Sequence, residues 1–178
     1  NWSKMAPHKE VRAYHSVAAL LPDGRVLVGG GGLPGAVGEK DNNGTPITST
    51  NQNHARLFGH KTVEIFSPPY LFDASGNLAA RPFITSTPLT ATYGQTFFIG
   101  TFGAGTQPRV SLVRLPSVTH GFNQDQRQVF LANPVVVAGG IDVSLPNDSN
   151  KLPPGHYMLF VLNAGVPSVS KIIKVQGN

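Results

Sequence analysis

Short apolar runs separated by turn residues extend along most of the chain. The runs are rich in Val, Ile and Phe, and clusters of Gly, Pro, Asn and Asp stand between them. Such spacing is typical of strands joined by turns. The pattern therefore predicts an all-β chain.

The first third of the chain predicts two strands, at residues 11–20 and 25–29, joined by a turn. The turn is Leu21-Pro22-Asp23-Gly24, in which proline fixes φ, aspartate caps the turn and glycine tolerates positive φ. A further strand is predicted at residues 61–66. The intervening stretch from Gly29 to Asn53 is rich in Gly, Asn, Thr and Pro and predicts a long irregular loop, of a length that is usually functional or disordered.

The remaining sequence predicts a proline-led crossover and then a second β domain. Strands are expected at residues 96–100, 109–115, 128–132, 135–137, 156–163 and 168–175, a spacing typical of a β-sandwich. The continuously apolar run at residues 157–162 indicates a central strand that is buried on both faces. We expect residues 83–178 to form an immunoglobulin-like β-sandwich.

Composition excludes several classes of protein. Hydrophobic residues make up 40% of the 178 positions and charged residues 13%, as in a globular chain. The net charge of +5 comes from scattered basic residues without a basic stripe or an aromatic RNA-binding motif, so no nucleic-acid partner is expected. The absence of cysteine excludes disulfides and thiolate metal sites within this chain. No apolar run reaches about twenty residues, so no membrane span is expected.

Three residues are candidates for metal chemistry: Tyr14, His15 and His120. Imidazole nitrogens and a phenolate oxygen suit tetragonal Cu(II), which takes mixed N and O donors. Neighbours on a regular strand face opposite sides, so the strand must end, bulge or twist for Tyr14 and His15 to reach one metal. From the residues alone, surface exposure or core packing remains the alternative for every histidine, including those at positions 8, 54, 60 and 156.

The order of several segments resembles the galactose oxidase family of copper radical oxidases over nearly the whole chain. The segments are Tyr14-His15-Ser16, Leu20-Leu21-Pro22-Asp23-Gly24-Arg25-Val26, the glycines 29–32, Ser67-Pro68-Pro69-Tyr70-Leu71, Thr119-His120, Gln124-Asp125-Gln126-Arg127 and Ala164-Gly165-Val166-Pro167-Ser168. The resemblance implies a final Kelch-type β-propeller blade at residues 1–66, a crossover linker at 67–82 and the β-sandwich at 83–178. Because a propeller closes with about four to eight blades, the remaining propeller portion is expected on another chain or on a removed N-terminal segment.

The resemblance also implies a function. Tyr14 would be an axial copper ligand and the catalytic base, and His15 and His120 would be equatorial ligands. A cross-linked Cys–Tyr radical cofactor would come from the missing portion, since this chain has no cysteine. The assembly would oxidise a primary alcohol or aldehyde, including those of carbohydrates, while reducing O₂ to H₂O₂, and it would be secreted or extracytoplasmic.

Two other functions stay open at this point. The chain could belong to a redox-silent relative that binds copper without the cross-linked pair. It could also be a non-catalytic β-sandwich module that binds carbohydrate or cell wall.

Four polar residues after His120 either orient its loop or form an ordinary polar turn: Asn123, Gln124, Asp125 and Arg127.

Overall fold

The computed structural model describes residues 4–10, 12, 15–31, 40, 44–48 and 61–177. In these residues the regular structure is β, apart from one 3₁₀ turn at Pro69–Leu71. The predicted all-β class is confirmed. The strands are β1 (Ser16–Leu20), β2 (Val26–Gly30), β3 (Val63–Phe66), β4 (Phe83–Ser86), β5 (Thr90–Thr92), β6 (Thr96–Phe102), β7 (Arg109–Arg114), β8 (Val118–Thr119), β9 (Phe122–Asn123), β10 (Gln128–Leu131), β11 (Val135–Val137), β12 (Gly140–Ser144), β13 (Gly155–Asn163), β14 (Val166–Pro167) and β15 (Lys171–Gln176).

The chain forms two compact units. The first comprises residues 1–19, 26–66 and 118–124, and the second comprises residues 20–25, 67–117 and 125–178. The β1–β2 turn thus belongs to the second unit, and the β8–β9 hairpin belongs to the first. The domain division inferred from the sequence, at residues 1–66, 67–82 and 83–178, stays a prediction.

The first unit contains a three-stranded sheet in the order β1-β2-β3. Strands β2 and β3 are antiparallel, with Val26 opposite Phe66 and Gly29 opposite Val63. On β3, Val63 is 61% exposed and Ile65 is 43% exposed, which leaves an apolar strand face in solvent. The first strand begins at Ser16 in the structure, and residues 11, 13 and 14 of its predicted range lie outside the described part. Most of the loop predicted between Gly29 and Asn53 also lies outside it.

The second unit is a sandwich of two sheets. One has the order β10-β7-β13-β15-β5, with β14 beside β13, and the other has the order β11-β12-β6-β4. Neighbouring strands are antiparallel except for β15 and β5. The core between the sheets is aliphatic and aromatic, and its members include Ile84, Phe97, Ile99, Val110, Leu112, Ile141, Val143, Tyr157, Leu159, Val161, Ile173 and Val175. The two packed sheets confirm the predicted immunoglobulin-like β-sandwich.

Strand β13 has the central position that its apolar run predicts. It pairs with β7 on one side and β15 on the other. Tyr157, Leu159 and Val161 face the core, and the alternate residues Met158 and Phe160 are also buried. Burial on both faces explains why the run does not alternate between apolar and polar residues.

Two features of the sandwich differ from the sequence prediction. The strand expected at residues 168–175 begins only at Lys171, because the Ser170 N–H donates to the Pro22 carbonyl instead of to a neighbouring strand. Strand β14, of only two residues, was not predicted. Strands β4, β5 and β12 were not predicted either. They are short and carry Ser, Thr, Gly or Asp among their apolar residues, which weakens the period-2 signal.

The Pro-Asp-Gly turn is held by side chains of the second unit. The Arg81 guanidinium donates to the carbonyls of Asp23 (2.7 Å), Pro167 (2.7 Å) and Ser168 (2.8 Å). The Tyr70 hydroxyl donates to the Gly24 carbonyl, and burial raises the pKa of Tyr70, which keeps it a neutral donor. Gly24 adopts φ +82, a conformation in which glycine carries no Cβ penalty. The turn therefore has a tertiary role as well as a local one.

Replacing Arg81 by Ala should lower the free energy of unfolding of the second unit by about 2–4 kcal/mol, because hydrogen bonds from a charged donor are lost and partly buried carbonyls lose their partner. The matched control is Arg25→Ala in the same turn, because the Arg25 side chain is 46% exposed and pairs with Asp23. An exposed pair contributes about 0–1 kcal/mol. Urea denaturation followed by circular dichroism measures both. Equal effects of the two variants would contradict the role given to Arg81.

Candidate metal centre

His15 lies immediately before β1 and has a left-handed backbone. Its φ is +64, and its side chain is exposed in this chain. Non-glycine residues seldom adopt positive φ, and such residues cluster at functional sites. The conformation ends the strand at Ser16, which is one of the geometries that the Tyr14-His15 pair required. Tyr14 itself lies outside the described residues.

His120 lies at the tip of the hairpin formed by β8 and β9. Its φ is +53, and Gly121 follows with φ +70. The Gly121 N–H donates to the Ser16 carbonyl, which ties the hairpin tip to the start of β1. The Nδ1 atom of His120 lies 2.7 Å from the Thr119 hydroxyl. A hydrogen bond to one ring nitrogen fixes the orientation of an imidazole and selects the other nitrogen for a metal.

The structure brings the rings of His15 and His120 together. Their centroids are 4.4 Å apart and their planes make an angle of 68°. Metal–nitrogen bonds of about 2 Å, as at zinc, put the centres of two imidazoles bound at right angles about 4.4 Å apart. The separation of the rings therefore agrees with that of two imidazoles in neighbouring positions around one metal ion. No group of three or more His, Cys, Asp or Glu side chains arranged for a metal occurs among the described residues.

The glycine cluster at the end of β2 allows the backbone to approach His15. A Cβ added at Gly30 would lie 2.7 Å from the His15 carbonyl oxygen, and Gly30 has φ +66. The Gly31 N–H donates to the same oxygen at 3.3 Å. Any side chain at Gly30 would push His15 away, so this glycine fixes the backbone that carries the ring.

A buried arginine, Arg12, contacts the backbone of this glycine cluster. The Arg12 guanidinium donates to the Gly30 carbonyl at 2.8 Å, to Glu64 Oε1 at 3.1 Å and to the Thr62 hydroxyl at 2.9 Å. Its side chain is 1% exposed. Sequence reasoning gave Arg12 no role, although its place two residues before Tyr14 was a possible signal.

The polar residues after the hairpin act within the sandwich unit. The Asp125 carboxylate lies 3.7 Å from Arg114 Nε, and Arg127 donates to the carbonyls of Asn150 and Lys151. These contacts favour the polar-turn interpretation for Asp125 and Arg127. Of the other histidines, 8 and 156 are exposed, and 54 and 60 lie outside the described residues.

The membership of the chain follows from comparison with known proteins. Residues 81–175, more than half of the chain, match the family described as galactose oxidase-like, Early set domain. The chain belongs to this family. The resemblance inferred from the sequence is confirmed, and the sandwich unit is its Early set domain.

Relatives and solved structures extend the similarity beyond the sandwich. A galactose oxidase of Gibberella zeae is 40% identical over 97% of this chain and 22% of its own length. The aldehyde oxidase GLOX1 of Arabidopsis thaliana is 33% identical over 98% of this chain and 28% of its own length. A solved fungal alcohol oxidase of the AA5 family, in complex with copper, matches with a TM-score of 0.76 and 32% identity over 96% of this chain and 32% of that chain.

These proteins support an oxidase family that uses copper. The chain spans only about a fifth to a third of the length of these relatives. No helix in the described part of the chain is long and apolar enough to cross a membrane.

Replacing Gly30 by Ala should lower the free energy of unfolding of the first unit by about 2–4 kcal/mol, through left-handed strain and overpacking against His15. Gly44→Ala is the control, because Gly44 has φ +79 and no described atom within 4 Å of an added Cβ. Strain alone predicts a loss of about 1–2 kcal/mol there. Chemical denaturation measures both variants. A loss no larger at Gly30 than at Gly44 would show that the approach to His15 is not tight.

The Arg12–Glu64 pair should make the first unit sensitive to acid. The Lys9 N–H, and then Arg12, hold the pKa of Glu64 below its ordinary value. A lowered folded-state pKa contributes stability above the unfolded pKa, about 4.3 for glutamate, and that stability is lost as pH falls through the folded value. Denaturation midpoints measured across this range should fall with acid and fall less in Glu64→Gln. Parallel acid profiles for the two proteins would contradict this origin.

Proposed function

We propose that this chain is the C-terminal part of a copper radical oxidase that oxidises a primary alcohol or aldehyde with O₂ and releases H₂O₂. The observation that carries the proposal is the ring pair of His15 and His120, at 4.4 Å and on two left-handed residues from distant segments. Strained backbone persists only where its surroundings enforce it, and here both strained histidines face each other. Membership in the galactose oxidase-like family supports the choice of copper.

His15, His120 and Tyr14 would hold the copper. His120 would bind through Nε2, because Thr119 engages its Nδ1. Two imidazoles and a phenolate form a donor set that suits Cu(II), whereas Mg²⁺ and Ca²⁺ prefer sets made of oxygen donors alone. A nearby divalent cation lowers the pKa of a phenol, so Tyr14 would be available as a phenolate.

The reaction balances with O₂ as the sole oxidant. A primary alcohol RCH₂OH and O₂ give RCHO and H₂O₂, and a hydrated aldehyde gives the carboxylic acid in the same way. When bound, copper would offer a site for the alcohol oxygen and would accept one of the two electrons that leave the substrate. Tyr14 would act as general base by accepting the hydroxyl proton, and His15 and His120 would orient the site without reacting.

The rest of the site would come from a propeller portion that this chain does not contain. The exposed apolar face of β3, with Val63 and Ile65, favours coverage by a neighbouring blade, because large apolar patches on soluble proteins usually mark interfaces. The second redox centre, a cross-linked Cys–Tyr pair, must also lie there, since the chain has no cysteine. We further propose that the protein is secreted or extracytoplasmic, where small alcohols, aldehydes and carbohydrates are available as substrates.

Substitution of the three proposed ligands in the complete protein tests the function. Tyr14→Phe should keep most copper yet reduce kcat by about 10²–10⁴, the usual contribution of a positioned general base. His15→Ala and His120→Ala should lose copper and activity together. Copper content by atomic absorption and H₂O₂ release with a primary alcohol measure these effects.

His156→Ala is the matched control, because His156 is exposed on β13 in the sandwich unit. It should change neither copper content nor turnover. Equal, mild effects of all four substitutions would contradict a catalytic site at His15 and His120. Full copper binding without H₂O₂ would instead support a redox-silent relative.

A further inference from the structure

Arg12 carries its charge on a buried side chain of the first unit, and its guanidinium contacts one backbone carbonyl and the side chains of Thr62 and Glu64. Its side chain is 1% exposed, and its Nη1 donates to the Gly30 carbonyl. Nε and Nη2 bind Glu64 Oε1 at 3.3 and 3.1 Å. Because burying an unpaired charge is costly, such a residue persists only with a full set of partners.

The partners of Arg12 are themselves fixed. Glu64 lies on β3 and accepts a second hydrogen bond from the Lys9 N–H at 2.9 Å. The Thr62 hydroxyl, which accepts from Arg12, donates in turn to Glu10. The guanidinium is therefore held from several directions, and the atom that it holds in β2 is the Gly30 carbonyl oxygen.

The Gly30 carbonyl belongs to a peptide group that also contacts His15. Gly30 and Gly31 are consecutive, both have positive φ, and the Gly31 N–H donates to the His15 carbonyl. The peptide that Arg12 fixes on one side thus fixes the backbone of His15 on the other. A shift of this peptide would move the left-handed His15 and the ring that faces His120.

We propose that Arg12 is a positioning residue for the copper site, acting on His15 through the peptide between Gly30 and Gly31. The inference rests on the proposed function, because it assigns the position of His15 to metal binding. Arginine suits the task because its planar fork engages a carboxylate and a carbonyl at once, whereas the single ammonium of lysine does not reproduce that geometry. Residues that orient metal ligands in this way typically affect metal affinity by about 10–100-fold.

The test uses Arg12→Lys in the complete protein, with two measurements besides turnover. The Cu(II) dissociation constant, obtained by chelator competition, should rise by about 10–100-fold. The electron paramagnetic resonance spectrum of bound Cu(II) should change its copper hyperfine splitting, which reports ligand geometry. Arg25→Lys is the matched control, because Arg25 makes an exposed pair in the second unit, and it should leave both quantities unchanged.

A second variant covers the case in which Arg12→Lys does not fold. Glu64→Gln keeps the shape of the partner and removes its charge, so it should loosen Arg12 and weaken copper binding in the same direction but less. Arg81→Ala shows the effect of lost stability alone, and it should leave the spectrum of bound Cu(II) unchanged.

The outcomes separate the two proposals. Wild-type affinity and spectrum in both Arg12→Lys and Glu64→Gln, with copper still lost in His15→Ala, would overturn the role of Arg12 alone. Copper binding that survives both His15→Ala and His120→Ala would overturn the proposed function and the role of Arg12 with it. Weaker binding with an altered spectrum in Arg12→Lys, unmatched by Arg25→Lys, would support the inference.

Discussion

The close approach of Gly30 to the His15 carbonyl is the constraint on which the candidate site depends. An added Cβ would lie 2.7 Å from that oxygen, so only glycine allows the contact. The contact accompanies a left-handed His15 immediately before β1, where the alternation of side chains along a strand no longer applies. The register of a regular strand would fix the side of the sheet on which a side chain lies, and the left-handed backbone of His15 removes that restriction.

The fold was largely predictable because burial leaves a periodic signal, whereas the site was predictable only in part. The run from Tyr157 to Leu162 marked the central strand, since burial on both faces removes polar residues from it. Strands β4, β5 and β12 lacked such a signal. A histidine in a sequence does not reveal that its backbone has positive φ, as it does at His15 and His120. The neighbouring glycines were the available sequence signal. Arg12 was missed because its burial arises from tertiary partners.

The Pro-Asp-Gly turn shows how a local signal can conceal a tertiary role. Its residues account for a tight turn without reference to the rest of the chain. In the structure the same carbonyls of Asp23 and Gly24 accept from Arg81 and Tyr70, and the turn belongs to the second unit. Propensity therefore predicted the shape of the turn correctly, while its partners, more than forty residues away, depended on packing that a local pattern does not contain.

The separation of the two histidines along the chain has a thermodynamic consequence. About a hundred residues lie between His15 and His120, so bringing them together costs loop-closure entropy that grows slowly with length. The hairpin contact from Gly121 to Ser16 offsets part of this cost before any metal arrives. A metal that binds both rings binds only the folded arrangement, and it therefore stabilises that arrangement in proportion to the logarithm of its concentration over its dissociation constant. The hydrogen bonds that link Arg12, Gly30 and Gly31 to the His15 carbonyl would then reduce the part of the binding free energy that goes into ordering the site.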